Sequence, residues 1–549
     1  MSLAPRRARR RTGRPIALLG ALLVGALGGG CGDAGEGVAP PADRIFFPSG
    51  LALDPRVPAG SPARWLFVAN ANSDLVYNAG TITAIDLDAF FAAWADVELV
   101  PGPPQRFLVT ARAGIADIGA ATTSDAPCRR IAGVPQAIEC DERSFVEADA
   151  TVKIGSFSTV LRPWDRRSLA DKAADPGAYE LRLFVPVRGD PSVTYVDVEG
   201  GLGGAPLRIA CTPDADDPSL CALRDRTRFL RGSRDFRRLG REPLNMLVGD
   251  RVALVTHGQA PEVSLFSLYG LDDAGEAVFE AEADRERRAR EAPYSPILAD
   301  VQRLFAATTQ VGGLGLAERP CSVDNAPQDT YVDGVPCARP LYYAGNRADV
   351  GIVRFSVGRI TPTASQRCVG VDDLEQAGAV LCDDRLVLID GLFVSGYDPG
   401  PTSAASLGEI AFSADGDRLY VVQSNPGALV RVDTSLNERG ETRDVATGIV
   451  EVCARPTALL TLSDGPTELA AVSCYSSGAI FIVDLATMRV VEQVYAGVGV
   501  HQMVHDPVRG FIYAANTLDA TISVIDVASY RPTRFTQVAR IGLQEPYTG

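Results

Sequence analysis

Lysine is almost missing from this chain: Lys153 and Lys172 are the only two among 53 basic residues, and arginine supplies the others. The formal net charge is −15, which argues against a nucleic-acid-binding protein, because phosphate recognition needs a basic face. Histidine is scarce too, at three residues (His257, His501 and His505), so imidazole chemistry has few places to occur. No C-x-x-C is present, which removes support for zinc ribbons, thioredoxin-like redox sites and covalent haem attachment. G-x-S-x-G, H-E-x-x-H, Walker and EF-hand patterns are likewise missing. The glycine-rich "GGLGG" (200–204) and "GGLGL" (312–316) open no βαβ unit and read as tight turns. Beyond residue 30 no stretch approaches the eighteen apolar residues of a membrane helix.

The N-terminus is a different matter. Basic residues from Arg6 to Arg14 precede the apolar run Ile16–Leu27 and small residues up to Cys31, the layout of a secretory signal. Ending in "ALGGGC", it resembles a bacterial lipoprotein signal, although Leu27 sits one place further from the cysteine than the usual pattern has it. The resemblance implies cleavage before Cys31 and its lipidation; an ordinary cleaved signal and an uncleaved anchor are the rival readings. Residues 1–30 are thus expected to be a signal peptide and 31–43, rich in Gly, Pro and Ala, a flexible tether.

Without Cys31, ten cysteines remain: Cys128, Cys140, Cys211, Cys221, Cys321, Cys337, Cys368, Cys382, Cys453 and Cys474. In order they form five close couples, 12, 10, 16, 14 and 21 positions apart. An even number in an exported chain suggests disulfides, and the clustering favours neighbour pairing. The alternative is that some are buried free thiols.

Stretches of the chain look alike. "RGFIYAANTLDATISVIDVAS" (509–529) has counterparts at 466–487, 416–435 and 63–88, with weaker copies at 181–200, 250–268 and 339–357. Each is an apolar strand, a short turn and a second alternating strand, the period-two signature of a sheet. The seven units close at Asp86, Asp197, Ser267, Ser356, Asp433, Asp484 and Asp526. The last two lie 42 residues apart, which fits one four-stranded propeller blade of roughly 40–45 residues. The wider spacings imply loop insertions, at about 89–150, 200–238, 269–310, 317–338 and 358–404, where four of the five cysteine couples fall.

"FSADGDRLYVVQSNPGALVRVDTS" and "FIYAANTLDATISVIDVAS" resemble the YVTN-type repeat of bacterial β-propellers, related in pattern to lactonase-like propellers. The resemblance is good over 405–527, fair over 46–88 and weak between. It implies an all-β fold, a seven-bladed β-propeller with disulfide-braced insertions occupying 44–549 as a single domain. An open array of β-sandwiches is the alternative. Within the insertions, "DLDAFFAAWADV" (86–97) reads as a short helix and 275–291 as a solvated surface helix that continues toward Leu304 after Pro293.

The histidines of "GVGVHQMVHDPVRG" (497–510) are separable by alignment. His501 falls on Ser49 and Gly408, and His505 on Leu53 and Phe412, so both belong to the first, innermost strand of a blade. Residues four apart on a strand stand ~13 Å apart, too far to share one metal ion. His505 is expected to pack in the core and His501 to stand near the mouth of the central channel. Ser49, Glu242, Glu409 and Arg455 start other units at about the same level. A ring of mixed polar residues about a propeller axis suits a small polar ligand or an ion; a channel without function is the plainer alternative. "DADD" (214–217) carries the oxygen ligands that calcium takes, but a solvated loop explains it as well. No cofactor is expected, with calcium or another divalent ion as the exception. "RGDPS" (188–192) reads as an ordinary hairpin.

Two function classes follow. The first is an exported, lipid-anchored, non-catalytic binding or scaffold protein of the cell envelope. It would be monomeric, take an envelope protein, a glycan or a small polar ligand, and touch the membrane through its lipid alone. The second, resting on the lactonase-like resemblance, is a lactone or ester hydrolase with a polar or metal site at the channel. Quinone or haem redox chemistry is a third class that no motif backs.

Overall fold

The computed structural model describes residues 37–543, except 95–96, 102–106, 112–114, 117–126, 132–133, 168, 215, 218, 223–224, 228–238, 269–295, 306–311, 348–350, 360–366, 369–378, 381–383, 394–405 and 465–466. Seven antiparallel sheets follow one another along the chain, and they close into a seven-bladed β-propeller. The innermost strands are Pro48–Leu53, Arg162–Asp165, Pro243–Val248, Gly313–Glu318, Leu407–Phe412, Pro456–Asp464 and Val500–Asp506. Each packs beside the next, and the seventh beside the first. Inner faces bury alternate residues against the neighbouring blade, as with Tyr420, Val422 and Leu429 against Val472 and Val483. Radial closure hides both faces of each sheet and leaves only short edges.

The repeat's polar residues have structural work. At the end of strand three Asp526 accepts the Ala528 N–H at 3.0 Å, Asp433 that of Ser435 at 3.0 Å and Asp484 that of Thr487 at 2.8 Å. At the end of strand two, Asn70 donates to Thr81 and Asn516 to Thr521 and Ser523. These bonds fix the turns on the two faces of the disc and so set the register of each blade.

Every innermost strand carries one extra residue near its start. The pairing shifts by one between Pro48 and Gly50, Pro243 and Asn245, Gly313 and Leu316, Leu407 and Ile410, Pro456 and Leu459, and Val500 and Met503. Blade 2 has the same shift between the Ser158–Val187 bridge and the Arg162–Phe184 pair. A bulge re-aims side chains and increases local twist, here at the channel wall.

Blades 1 and 7 are each built from one continuous end of the chain, so no strand is shared to close the ring. Blades 1 and 7 pack directly on each other, and the insertion after strand three of blade 1 adds a clasp across them. Its hairpin, Cys128–Ile131 with Val134–Cys140, adds to the outer edge of blade 7, where Ile138, Glu139 and Cys140 run parallel to Ala539, Arg540 and Ile541. Arg540 Nη2 lies 2.8 Å from Glu139 Oε2, with both side chains under 8% exposed.

Four disulfides are present among the described residues: Cys128–Cys140, Cys211–Cys221, Cys321–Cys337 and Cys453–Cys474. The couple Cys368 and Cys382 lies outside the residues whose side chains are described. The expected short helix is found at Leu87–Trp94; the helix expected at 275–291 lies outside the described residues. Its continuation toward Leu304 is corrected, because Ile297–Arg303 is the outer strand of blade 3, paired with Glu262–Ser267. Proline disfavours a helix continuing through 293, and the alternation of Ala299 and Val301 with Asp300 and Gln302 suits an edge strand. The spans 200–238 and 358–404 also contain their blades' own outer strands, Arg208–Ala210 and Asp384–Phe393.

Candidate functional site

All inner strands start at one face of the disc, which carries the channel mouth. Just before them stand Phe47, Phe157, Glu242, Arg455 and Gly499, at equivalent positions, with φ of 48°, 60°, 52°, 57° and 84°. Four non-glycine residues held left-handed at one rim, where such a conformation costs roughly 1–3 kcal/mol each, mark that rim as a constrained element. The strand-two turns meet the same face. Arg188, Gly258, Arg347 and Tyr475 follow the ends of strand two in blades 2, 3, 4 and 6.

Arg188 reaches across this mouth. Its Nη2 donates to Glu242 Oε1 at 3.1 Å, and Gln259 Nε2 donates to the same oxygen at 2.9 Å. Its charge is also felt at Arg347, Tyr475 and His501, so one guanidinium from blade 2 addresses groups of blades 3, 4, 6 and 7. The Arg188 Nε is buried without a hydrogen-bond partner. Gly258 lies close under these side chains: a Cβ there would lie 2.7 Å from Glu242 Oε2 and 3.1 Å from Arg347 Nη1, so both would have to shift. Burial pushes the Arg347 pKa down, against the pull of Glu242. Burial likewise pushes the Tyr475 hydroxyl up, and Arg188 opposes it. The Cys453–Cys474 disulfide brackets Arg455 and adjoins Tyr475.

Below the mouth the channel is spanned by side chains. Arg162 of blade 2 and Glu409 of blade 5 face each other across it, Nη2 to Oε1 at 3.9 Å. Arg162 is anchored on Met246 O at 2.8 Å and Asn245 Oδ1 at 3.0 Å, while Glu409 Oε2 accepts the Leu459 N–H at 2.8 Å. Gln502 of blade 7 accepts from Leu51 N at 2.9 Å and Leu161 N at 3.2 Å. Asn245, Glu409 and Gln502 occupy the same place in their strands, two residues past the start of the bulge. Each serves the bare edge of a neighbouring inner strand, and together with Arg162 they form a polar floor. Burial raises the Glu409 pKa, against the pull of Arg162 and of the Leu459 N–H.

The sequence-selected residues therefore fall at three levels. Glu242 and Arg455 are on the rim. His501 stands one step inward, its Nδ1 2.9 Å from the Ser49 carbonyl oxygen. Nδ1 thus carries the proton and Nε2 is the bare nitrogen. Burial, opposed by that hydrogen bond and reinforced by Arg188, lowers the His501 pKa. Ser49 itself is buried in the wall, 3.2 Å from Ser158 Oγ and from Ala69 O. Glu409 belongs to the floor. His505 is half-buried at the other end of the strand, in a cleft of about 160 Å³ between blades 6 and 7 with Leu462, Leu469, Val508 and Tyr530. His257 is fully buried, its Nε2 2.8 Å from Ser264 Oγ.

Arg162, Arg188, Arg347, Asn245 and Gln502 were not selected from the sequence. Aligning the ends of strand two, as the starts of strand one were aligned, brings Arg188 and Arg347 to one level. The tripeptide 188–190 is divided, Arg188 turning to the mouth and Asp190 pairing with Arg226 at 3.2 Å. In the acidic loop, Asp217 is engaged by Lys153 at 2.8 Å and Ser219 at 2.6 Å. Among the described residues no three His, Cys, Asp or Glu side chains converge as a metal cluster.

The fold and the site define a seven-bladed β-propeller with a blind, polar-floored cup at one end of its axis. No family model matches the chain, and no curated protein matches it. Among solved structures it is similar to a candidate 6-phosphogluconolactonase from Bacteroides fragilis, at 11% identity over 87% of this chain and 96% of that one, with a TM-score of 0.40. It is also similar to Saccharomyces cerevisiae Sqt1, at 8% identity over 90% and 85%, with a TM-score of 0.42. A third is Kuenenia stuttgartiensis hydrazine synthase, at 10% identity over 88% and 96%, with a TM-score of 0.40. Likeness at this level assigns no activity to the chain.

Proposed function

We propose that this protein is an exported, lipid-anchored propeller of the cell envelope that binds a small polar ligand in its channel mouth without transforming it. The floor carries the reading: Arg162 and Glu409 meet across the axis, so the channel is a cup closed from below. A few polar groups converge at its mouth, Arg188 on Glu242 with Gln259 and Arg347 beside them, as in sites that fix the orientation of a ligand. The acidic groups are already engaged, Glu242 by Arg188 and Gln259 and Glu409 by a backbone N–H, which suits recognition better than proton transfer. The disulfides support export, because such bonds persist in oxidising compartments, and the signal-like N-terminus with Cys31 supports the anchor.

The neutral His501, with its bare Nε2 close to Arg188, favours a second reading, a lactone or ester hydrolase with His501 as general base. Turnover of lactones and esters by the purified protein separates the two. Hydrolysis abolished by His501→Ala would replace the binding reading. Retention of a library ligand by the parent, lost in Arg188→Ala and without turnover, supports it.

A further inference from the structure

We infer that the face carrying the channel mouth lies against the lipid bilayer, so that the cup opens toward the membrane. The inference rests on the anchored reading, and it comes from where the tether leaves the body. Gly37 sits against Asn78, a Cβ at Gly37 lying 3.0 Å from the Asn78 Cβ, and Asn78 N donates to Val38 O at 2.9 Å. Asn78 belongs to the turn between strands two and three of blade 1, which is a mouth-face turn because Pro48 pairs with Asn70.

Only residues 31–36 separate the lipidated cysteine from that turn. Fully extended they reach about 20 Å. An inner strand such as Val500–Asp506 is itself about 20 Å long, and turns and connections thicken the disc beyond both strand ends, so the tether is too short to pass the disc and leave its far face on the membrane. The surface beside the tether has the matching chemistry. Val38, Leu75 and Val76 are 66%, 60% and 56% exposed, and Leu518 and Tyr495, on mouth-face turns of blade 7 and at the end of blade 6, are 51% and 56% exposed. Apolar side chains ringing an anchor gain by entering the interface, at about 25 cal/mol per Å² removed from water.

The long connections between strands three and four of blades 1, 3 and 4, and between strands one and two of blade 4, start and end on the opposite face. That face, including the Cys321–Cys337 loop, would project away from the lipid.

Added tryptophans test the orientation. Full-length lipidated protein, as Leu75→Trp, Leu518→Trp or Val323→Trp, would be reconstituted in phosphatidylethanolamine vesicles containing bromine-labelled phosphatidylcholine. Emission from the indole introduced at position 75 or 518 is expected to be quenched and blue-shifted relative to the parent, with the far-face indole at position 323 unchanged. Quenching at 323 alone, or at none of the three in protein that floats with the vesicles, overturns the orientation while leaving the anchor intact. Failure to float, with no lipid found on Cys31 by mass spectrometry, removes the anchor and the inference together.

Discussion

Removing the carboxylate of Glu139 should loosen the clasp across blades 1 and 7. The pair it forms with Arg540 is buried on both sides and 2.8 Å long, and it sits in the three-residue seam between the blade 1 hairpin and the last strand of blade 7. Glu139→Met leaves a guanidinium without its carboxylate in the interior, a loss of about 3–5 kcal/mol. Adding Arg540→Met should restore most of it, since an apolar replacement of a whole buried pair is close to neutral. If the seam opens on its own, a cost near 3 kcal/mol speeds exchange of the amides that face the hairpin, Arg540 and Gly542 (Gly542 N donates to Cys140 O at 2.9 Å), about a hundredfold. Amides of blade 5, such as Val430, should change little. Native-state hydrogen exchange followed by mass spectrometry reads both. The clasp role is refuted if the blade 5 amides lose as much protection as Arg540 and Gly542, or if the double variant is worse than Glu139→Met.

Three further outcomes are expected. Burial holds the pKa of His257 at about 3 against 6.5 for an ordinary imidazole. The unfolded chain therefore binds the extra proton between those values, and stability should fall as pH drops from about 6.5 toward 3; His257→Gln should flatten that part of a urea-midpoint-versus-pH curve. Breaking Cys453–Cys474 as a double serine variant releases a 21-residue loop and should cost about 3 kcal/mol by the chain-entropy relation, seen as a lower urea midpoint than the parent has under oxidising conditions. Asn516→Ala removes the bonds to Thr521 and Ser523 and should cost about 1–3 kcal/mol in the same assay, whereas Asn437→Ala, on an exposed loop, should cost little.

How far the fold can be read in advance depends on which contacts are local. The closing aspartates and strand-two asparagines act within a few residues of themselves, so the repeat shows in a single sequence and the blade count follows from it. The clasp does not, because residues 128–140 carry no copy of the repeat and their partner strand lies some 400 positions away, 401 for Glu139 and Arg540. The bulges leave no mark in composition; they appear only in pairing register. The candidate site was legible in part for the same reason. Aligning strand starts finds Glu242, Arg455 and His501, but the floor depends on side chains that cross an axis, and Arg162 and Glu409 have no pattern in common. Pro293 and the alternation after it could have assigned 297–303 to a strand, had the charge pattern upstream not pointed to a helix.

The clasp also puts a clock on the molecule. Its first half leaves the ribosome early and its second half is among the last residues made. At about 5–20 residues per second the hairpin waits on the order of a minute for its partner strand. Over that interval Ile138 and Phe145 have only blade 1 residues such as Leu87 and Phe90 to cover them, and lack Tyr513, Ile522 and Ile541. Once the chain reaches an oxidising compartment, the Cys128–Cys140 bond would keep the hairpin in shape until the last strand docks on it.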